Sequence, residues 1–168
     1  MRILFRPQVI LIAVIAGVVA LGSSSALADH SPESTVSATV TPAVLSVTVT
    51  PNTVDYDVVE LSSTDNLPTP ETFTATNNGS ITENIDIRGA DTDNWTLEAT
   101  AGPNQYVHKA SKDAFSTTIT LATSNLPLVD TGVAVDGTVT VSLKLDAPTA
   151  STTAAEQIAV VTVIAVAP

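Results

Sequence analysis

The feature that most constrains this chain is a two-residue rhythm. Apolar side chains alternate with threonine and other small polar residues in short runs, and each run stops at Pro, Asn, Gly or Asp. From Thr138 to Leu145 the rhythm is cleanest: Val139, Val141, Leu143 and Leu145 hold one parity, and Thr138, Thr140, Ser142 and Lys144 hold the other. A period of two is that of a β-strand, whose successive side chains point to opposite faces. The same rhythm recurs at Val36/Ala38/Val40, Leu45/Val47/Val49, Val54/Tyr56/Val58, Phe73/Ala75, Ile85/Ile87, Trp95/Leu97/Ala99, around Tyr106 to Lys109, and at Phe115/Ile119/Leu121. Ile158 to Val166 is apolar at both parities, the pattern of a strand covered on both faces. Asn77-Asn78-Gly79-Ser80 falls between two runs and predicts a type I′ hairpin turn. The 26 threonines fit this scheme, because β-branched side chains suit a pleated surface. Only Ala154 to Ile164 could be helical, and its Val-Val-Thr-Val-Ile run argues against that. The expected fold is all-β: an antiparallel, immunoglobulin-like β-sandwich of eight or nine strands.

The rhythm begins only after a different kind of segment. Arg2 and Arg6 precede an apolar run from Val9 to Leu21, and small residues then lead to Ala26-Leu27-Ala28. A basic start, an apolar centre and an A-x-A ending form a secretory signal peptide. The run is about 13 residues, short of the roughly 20 that a spanning helix needs. We therefore expect residues 1–28 to be removed between Ala28 and Asp29, residues 29–35 to be a flexible leader, and residues 36–168 to form one domain. Cleavage leaves 140 residues with 4 basic and 17 acidic side chains, a net charge of −13. No second long apolar run follows, so no membrane span is expected in the mature chain. Such acidity argues against nucleic acid as a partner, since phosphate contacts need a basic face. The absence of cysteine excludes disulfides and thiolate metal sites.

Catalysis requires a positioned acid, base, nucleophile or metal. His30 falls in the leader, and His108 is expected at the surface near a strand end. No nucleophile elbow occurs and no histidine has an evident carboxylate partner, so no catalytic or metal residue is expected and the chain reads as a non-enzyme. Calcium is the one cofactor candidate. Asp91-Thr92-Asp93-Asn94 offers several oxygen ligands in one loop, although Trp95 and Thr96 break the calcium-loop pattern, and Asp and Asn also serve plain turns. Asp55, Asp57 and Glu60 read as the solvated face of a strand. Trp95, Leu97, Phe73, Ile85, Ile87, Val141, Leu143 and Val161 are the expected core. Trp95, Leu97 and Tyr106 are also the binding candidates, with Tyr56 beside them, because aromatic groups could stack on a ligand where net charge repels an acidic polymer.

Ile87-Arg88-Gly89, followed by Asp91 to Asn94 and Trp95-Thr96-Leu97, resembles the first signature of WxL-type bacterial surface domains: a strand, an Arg-Gly turn, then Trp-x-Leu on the next strand. Asn77 to Ser80 and Val54-Asp55-Tyr56 are similar to neighbouring features of that family. The family's second Trp-x-Leu has no counterpart, as the comparable strand reads Val161-Thr162-Val163. A second resemblance is to TasA- or camelysin-like fibre subunits, which are small, secreted, cysteine-free and rich in Thr and Asn. It implies assembly by donation of an N-terminal strand, for which the apolar stretch Val36 to Val49 is the candidate. Together the expectations are a secreted protein, extracellular or at the cell surface. It would be a binding module whose partner is a cell-wall polymer or another surface protein, or else a self-assembling structural subunit.

Overall fold

A computed structural model describes residues 34–127 and 132–168. The predicted signal peptide, the Ala28/Asp29 cleavage site and His30 lie outside the described residues. Ser34 to Val40 is exposed and without regular structure. From Thr41 onward the chain forms a compact unit. Among the described residues there is no helix, and nine strands form: β1 (Val47–Thr50), β2 (Thr72–Asn77), β3 (Asn84–Gly89), β4 (Thr96–Leu97), β5 (Gln105–Ser111), β6 (Ile119–Thr120), β7 (Leu126–Pro127), β8 (Thr138–Asp146) and β9 (Val161–Val166).

The strands make two sheets. The larger runs β1-β2-β8-β5-β4, with β6 also paired to β5, and the smaller runs β7-β3-β9. All pairings between strands are antiparallel except β4 with β5. Alternation does what the sequence demands of it. In β8, Val141, Leu143 and Leu145 are buried, while Thr138 and Thr140 face solvent. One hydrophobic cluster draws on both sheets: Phe73 and Ala75 from β2, Ile85 and Ile87 from β3, Tyr106 and Ala110 from β5, and Val141, Leu143 and Leu145 from β8. Burying such side chains contributes on the order of 1.5–3 kcal/mol each.

The sequence expectations fail in instructive places. Asn77 to Ser80 is not a hairpin turn. β2 and β3 belong to different sheets, and this segment carries the chain from one to the other. The fully buried Asn77 directs the crossing: its Nδ2 donates to Ile81 O and Val133 O, and its Oδ1 accepts from Gly79 N. Asn78 N and Ser80 N donate to Ser46 O and Val44 O, so the chain runs on beside the approach to β1 instead of folding back. A second crossing follows β6, where Leu121 N donates to His108 O and Ala122 O then accepts from Gly89 N.

Val54 to Val58 makes only one bridge, Asp55 to Thr69; Asp57 has φ 52 and Val58 is 98% exposed. Asp55, Asp57 and Glu60 are exposed. Phe115 does not begin a strand. The Ser111 hydroxyl accepts from Asp113 N and Phe115 N, and Asp113 Oδ1 accepts from Thr117 N, which winds the segment into a loop with positive φ at Ala114 and Phe115. Hydrogen bonds donated to the Asp113 carboxyl by Thr117 N and by the Ser111 hydroxyl hold it below its ordinary range. Finally, among the described residues β9 is an edge strand, and every residue in it is half-buried, not the doubly covered strand its composition predicts. The stretch considered for strand donation is divided: Val47 to Val49 lies in β1, paired with β2 of its own chain.

Candidate functional site

The binding candidates converge on the region where β4 meets β5. Asp91 and Thr92 shape the approach. Asp91 Oδ1 accepts from Leu97 N at 2.8 Å, Thr92 N donates to Trp95 O at 2.9 Å, and the Thr92 hydroxyl accepts from Trp95 N at 2.8 Å. These contacts close the Asp91–Asn94 loop on itself. Asp93 and Asn94 are exposed, and Asn94 N donates to Gln157 Oε1. Among the described residues, no group of three or more His, Cys, Asp or Glu side chains comes together around a shared point.

Trp95 is half-buried. Its Nε1 donates to Ser151 Oγ at 3.0 Å, and its ring lies 6.2 Å from that of Tyr106 at a tilt of 47°. Leu97 is buried at 6% exposure and Tyr106 at 0%, with the Tyr106 hydroxyl donating to Ala90 O. The structure thus brings the three candidates together, and leaves part of the Trp95 ring as the only aromatic surface they present. Gly89 is the reason that Leu97 can come so close to β3: a Cβ there would stand 2.5 Å from Leu97 Cδ2. Beside Leu97 is an open cleft of about 430 Å³, lined by Asp91, Thr96, Glu98, Ala99, Leu121 and Thr123 among others.

Sequence reasoning missed the inner end of this aromatic row. His108 is 1% exposed rather than at the surface. It lies between Tyr106, at 6.2 Å between ring centroids, and Tyr56, edge-on at 5.7 Å. Tyr56 Oη and His108 Nε2 are 2.9 Å apart and share one hydrogen bond, whereas Nδ1 has no partner among the described residues. Burial lowers the His108 pKa to about 4, so the ring is neutral at ordinary pH. Burial likewise pushes the Tyr106 phenol up to about 12, with Asp91 adding to the effect, and raises Tyr56 further, with Tyr106 contributing. The three rings pack together, and both phenol hydroxyls are hydrogen-bonded.

The outer face of β5 is closed as well. Lys109 Nζ lies 2.7 Å from Asp146 Oδ2 and 3.1 Å from Asp65 Oδ1, and Asp146 Oδ1 accepts from Asp65 N. This network fastens the segment before β2 over β5 and β8. Desolvation acts to lower the Lys109 pKa, but the hydrogen bonds and charges of Asp146 and Asp65 outweigh it and raise the pKa.

No helix among the described residues is long and apolar enough to cross a membrane. Compared with known proteins, the chain matches no family model, no curated protein and no solved structure.

Proposed function

We propose that this chain is a secreted, non-catalytic extracellular or cell-surface protein, that its two sheets make an immunoglobulin-like β-sandwich, and that it works by self-assembly. One observation carries the choice: apolar side chains are left exposed on segments without regular structure near both ends of the described chain, as well as in the loops at Val58, Leu61 and Leu67. Val36 and Val40 are 91% and 85% exposed, and Ile158 and Val160, just before β9, are 74% and 50% exposed. Exposed apolar groups beside an edge strand suit association by strand addition, in which main-chain hydrogen bonds supply affinity and alternate side chains supply fit. The signal peptide supports export, and a structural role would need no reactive group.

A wall-binding module, as the WxL resemblance implies, is the second reading. The half-exposed Trp95 beside an open cleft supports it. In either form a net charge of −13 opposes association with acidic polymers or with other copies. Salt or calcium should therefore strengthen binding by screening, whose length is about 8 Å at physiological ionic strength. The test is co-sedimentation with purified cell walls, alongside the protein alone, over a salt and calcium series. Self-assembly predicts that the protein associates without walls. Retention on walls with no self-association would favour the module, and neither behaviour under any condition would leave both readings without support.

A further inference from the structure

The strand edges of this molecule are unequal. β4, β6 and β7 have two residues each, β7 ends in Pro127, and β1 has four residues and runs directly into Pro51. Shortness and proline are ways in which proteins blunt a sheet edge. β9 has neither: Val161-Thr162-Val163-Ile164-Ala165-Val166 contains no proline and no charge, and among the described residues only β3 pairs with it, while β1 of the other sheet comes near it without pairing.

The direction of its free backbone groups follows from the register. Gly89 lies opposite Val161, yet Gly89 N donates to Ala122 O, away from β9. That pair therefore exchanges no hydrogen bonds. In an antiparallel ladder such pairs alternate with bonded ones. Thr162, Ile164 and Val166 bond to β3, and the N–H and C=O groups of Val161, Val163 and Ala165 point out of the open edge.

We infer that this edge pairs with the β9 edge of a second copy, antiparallel and about a two-fold axis at Val163. The inference rests on the self-assembly reading and specifies its surface and partner. The outward backbone groups limit the register to pairings among Val161, Val163 and Ala165, and only the one centred on Val163 uses all three. Val163 meets its own equivalent and Val161 meets Ala165 of the other copy, each as a hydrogen-bonded pair. Thr162 then stands opposite Ile164 on the outer face of the sheet. A shift of one residue would set outward groups against groups already bonded to β3. Charge does not oppose the same place: no side chain from Gln157 to Pro168 is charged, so two acidic copies can meet there without setting like charges against each other. A two-fold contact of this kind is closed, so it makes dimers and not an open fibre.

The chain lacks cysteine, which makes the test clean. Thr162→Cys and Ile164→Cys chains are purified separately and oxidised alone and as a mixture. Opposed residues of a non-hydrogen-bonded pair have Cα atoms about 4.5 Å apart, whereas like residues in this register are about 8 Å apart, beyond disulfide reach. The expected result is cross-linked dimer in the mixture and little in either chain alone. Equal cross-linking in all three samples overturns the register. Dimers by light scattering that never cross-link overturn the β9 contact and leave self-assembly standing, through the N-terminal segment or another surface. Absence of any association overturns both. Val163→Pro removes an outward N–H without touching the β3 ladder, and should weaken dimerisation about tenfold or more. Circular dichroism checks that this variant keeps its fold, and unchanged dimerisation by the folded variant also refutes the contact.

Discussion

Replacing His108 with glutamine should remove much of the protein's sensitivity to mild acid. The ring is buried against Tyr56 and Tyr106, and its pKa is lowered to about 4 from 6.5 in the unfolded chain. Below pH 6.5 the unfolded chain takes up a proton that the folded chain refuses. The stability contributed by neutral His108 is thus complete above pH 6.5, falls as the pH drops towards 4, and is flat below. At about 1.36 kcal/mol per pH unit, the interval from 6.5 to about 4 amounts to about 3 kcal/mol, of which about 2 is lost by pH 5. Glutamine cannot take up this proton, and its amide offers Tyr56 a hydrogen-bonding partner. Carboxylates titrate in the same range but are common to both proteins, as is His30, so the difference between wild type and His108→Gln isolates the one ring. Urea unfolding followed by Trp95 fluorescence from pH 8 to pH 4.5 measures it. The wild type should lose stability faster than the variant across this range. Parallel curves would refute the burial of a neutral His108.

The other substitutions act through packing. Trp95→Ala should cost about 2–3 kcal/mol, less than for a fully enclosed ring, because Trp95 is half-buried and anchored by one bond to Ser151; denaturant melts measure it, and a negligible loss would mean that the ring packs against nothing. Gly89→Ala should cost about 1–3 kcal/mol, since the new methyl meets Leu97 and the wall at Leu121; a Gly89→Ala/Leu97→Ala double variant with a smaller penalty than the sum would identify Leu97 as the obstacle. Asp146→Ala should cost about 1–3 kcal/mol by leaving Lys109 and Asp65 N without their shared acceptor, and thermal melts at low and high salt would report it.

What the sequence discloses depends on whether a strand has one covered face or two. β2, β3 and β8 each bury one parity, so Phe73, Ile85, Ile87, Val141 and Leu143 are legible from alternation alone. β5 is covered on both sides, by the hydrophobic cluster at Tyr106, His108 and Ala110 and by the Lys109–Asp65–Asp146 network on the other face. Alternation has no meaning there, and a histidine beside a lysine resembles a surface pair. The opposite error occurs at β9, whose composition suits a covered strand although among the described residues it pairs on one side only, with β3, and β1 of the other sheet comes near it without pairing. A local rule also fails at Asn77, where an Asn-Gly step suggests a hairpin but contacts from residues distant in sequence, Val133 and Ser46, turn the chain into the other sheet. The candidate site was legible as a cluster, Trp95 with Leu97 and Tyr106. Its inward orientation was not, because it depends on Ser151 and Ala90 as partners.

Sedimentation velocity on the purified protein tests the central claim of self-assembly most directly, with protein concentration and salt as the two variables. A single strand-to-strand contact is small and the chain is strongly acidic, so association should be reversible and dependent on both. The account predicts a monomer–dimer equilibrium that moves towards dimer as either rises. A sedimentation coefficient that stays at the monomer value at every concentration and salt would contradict it.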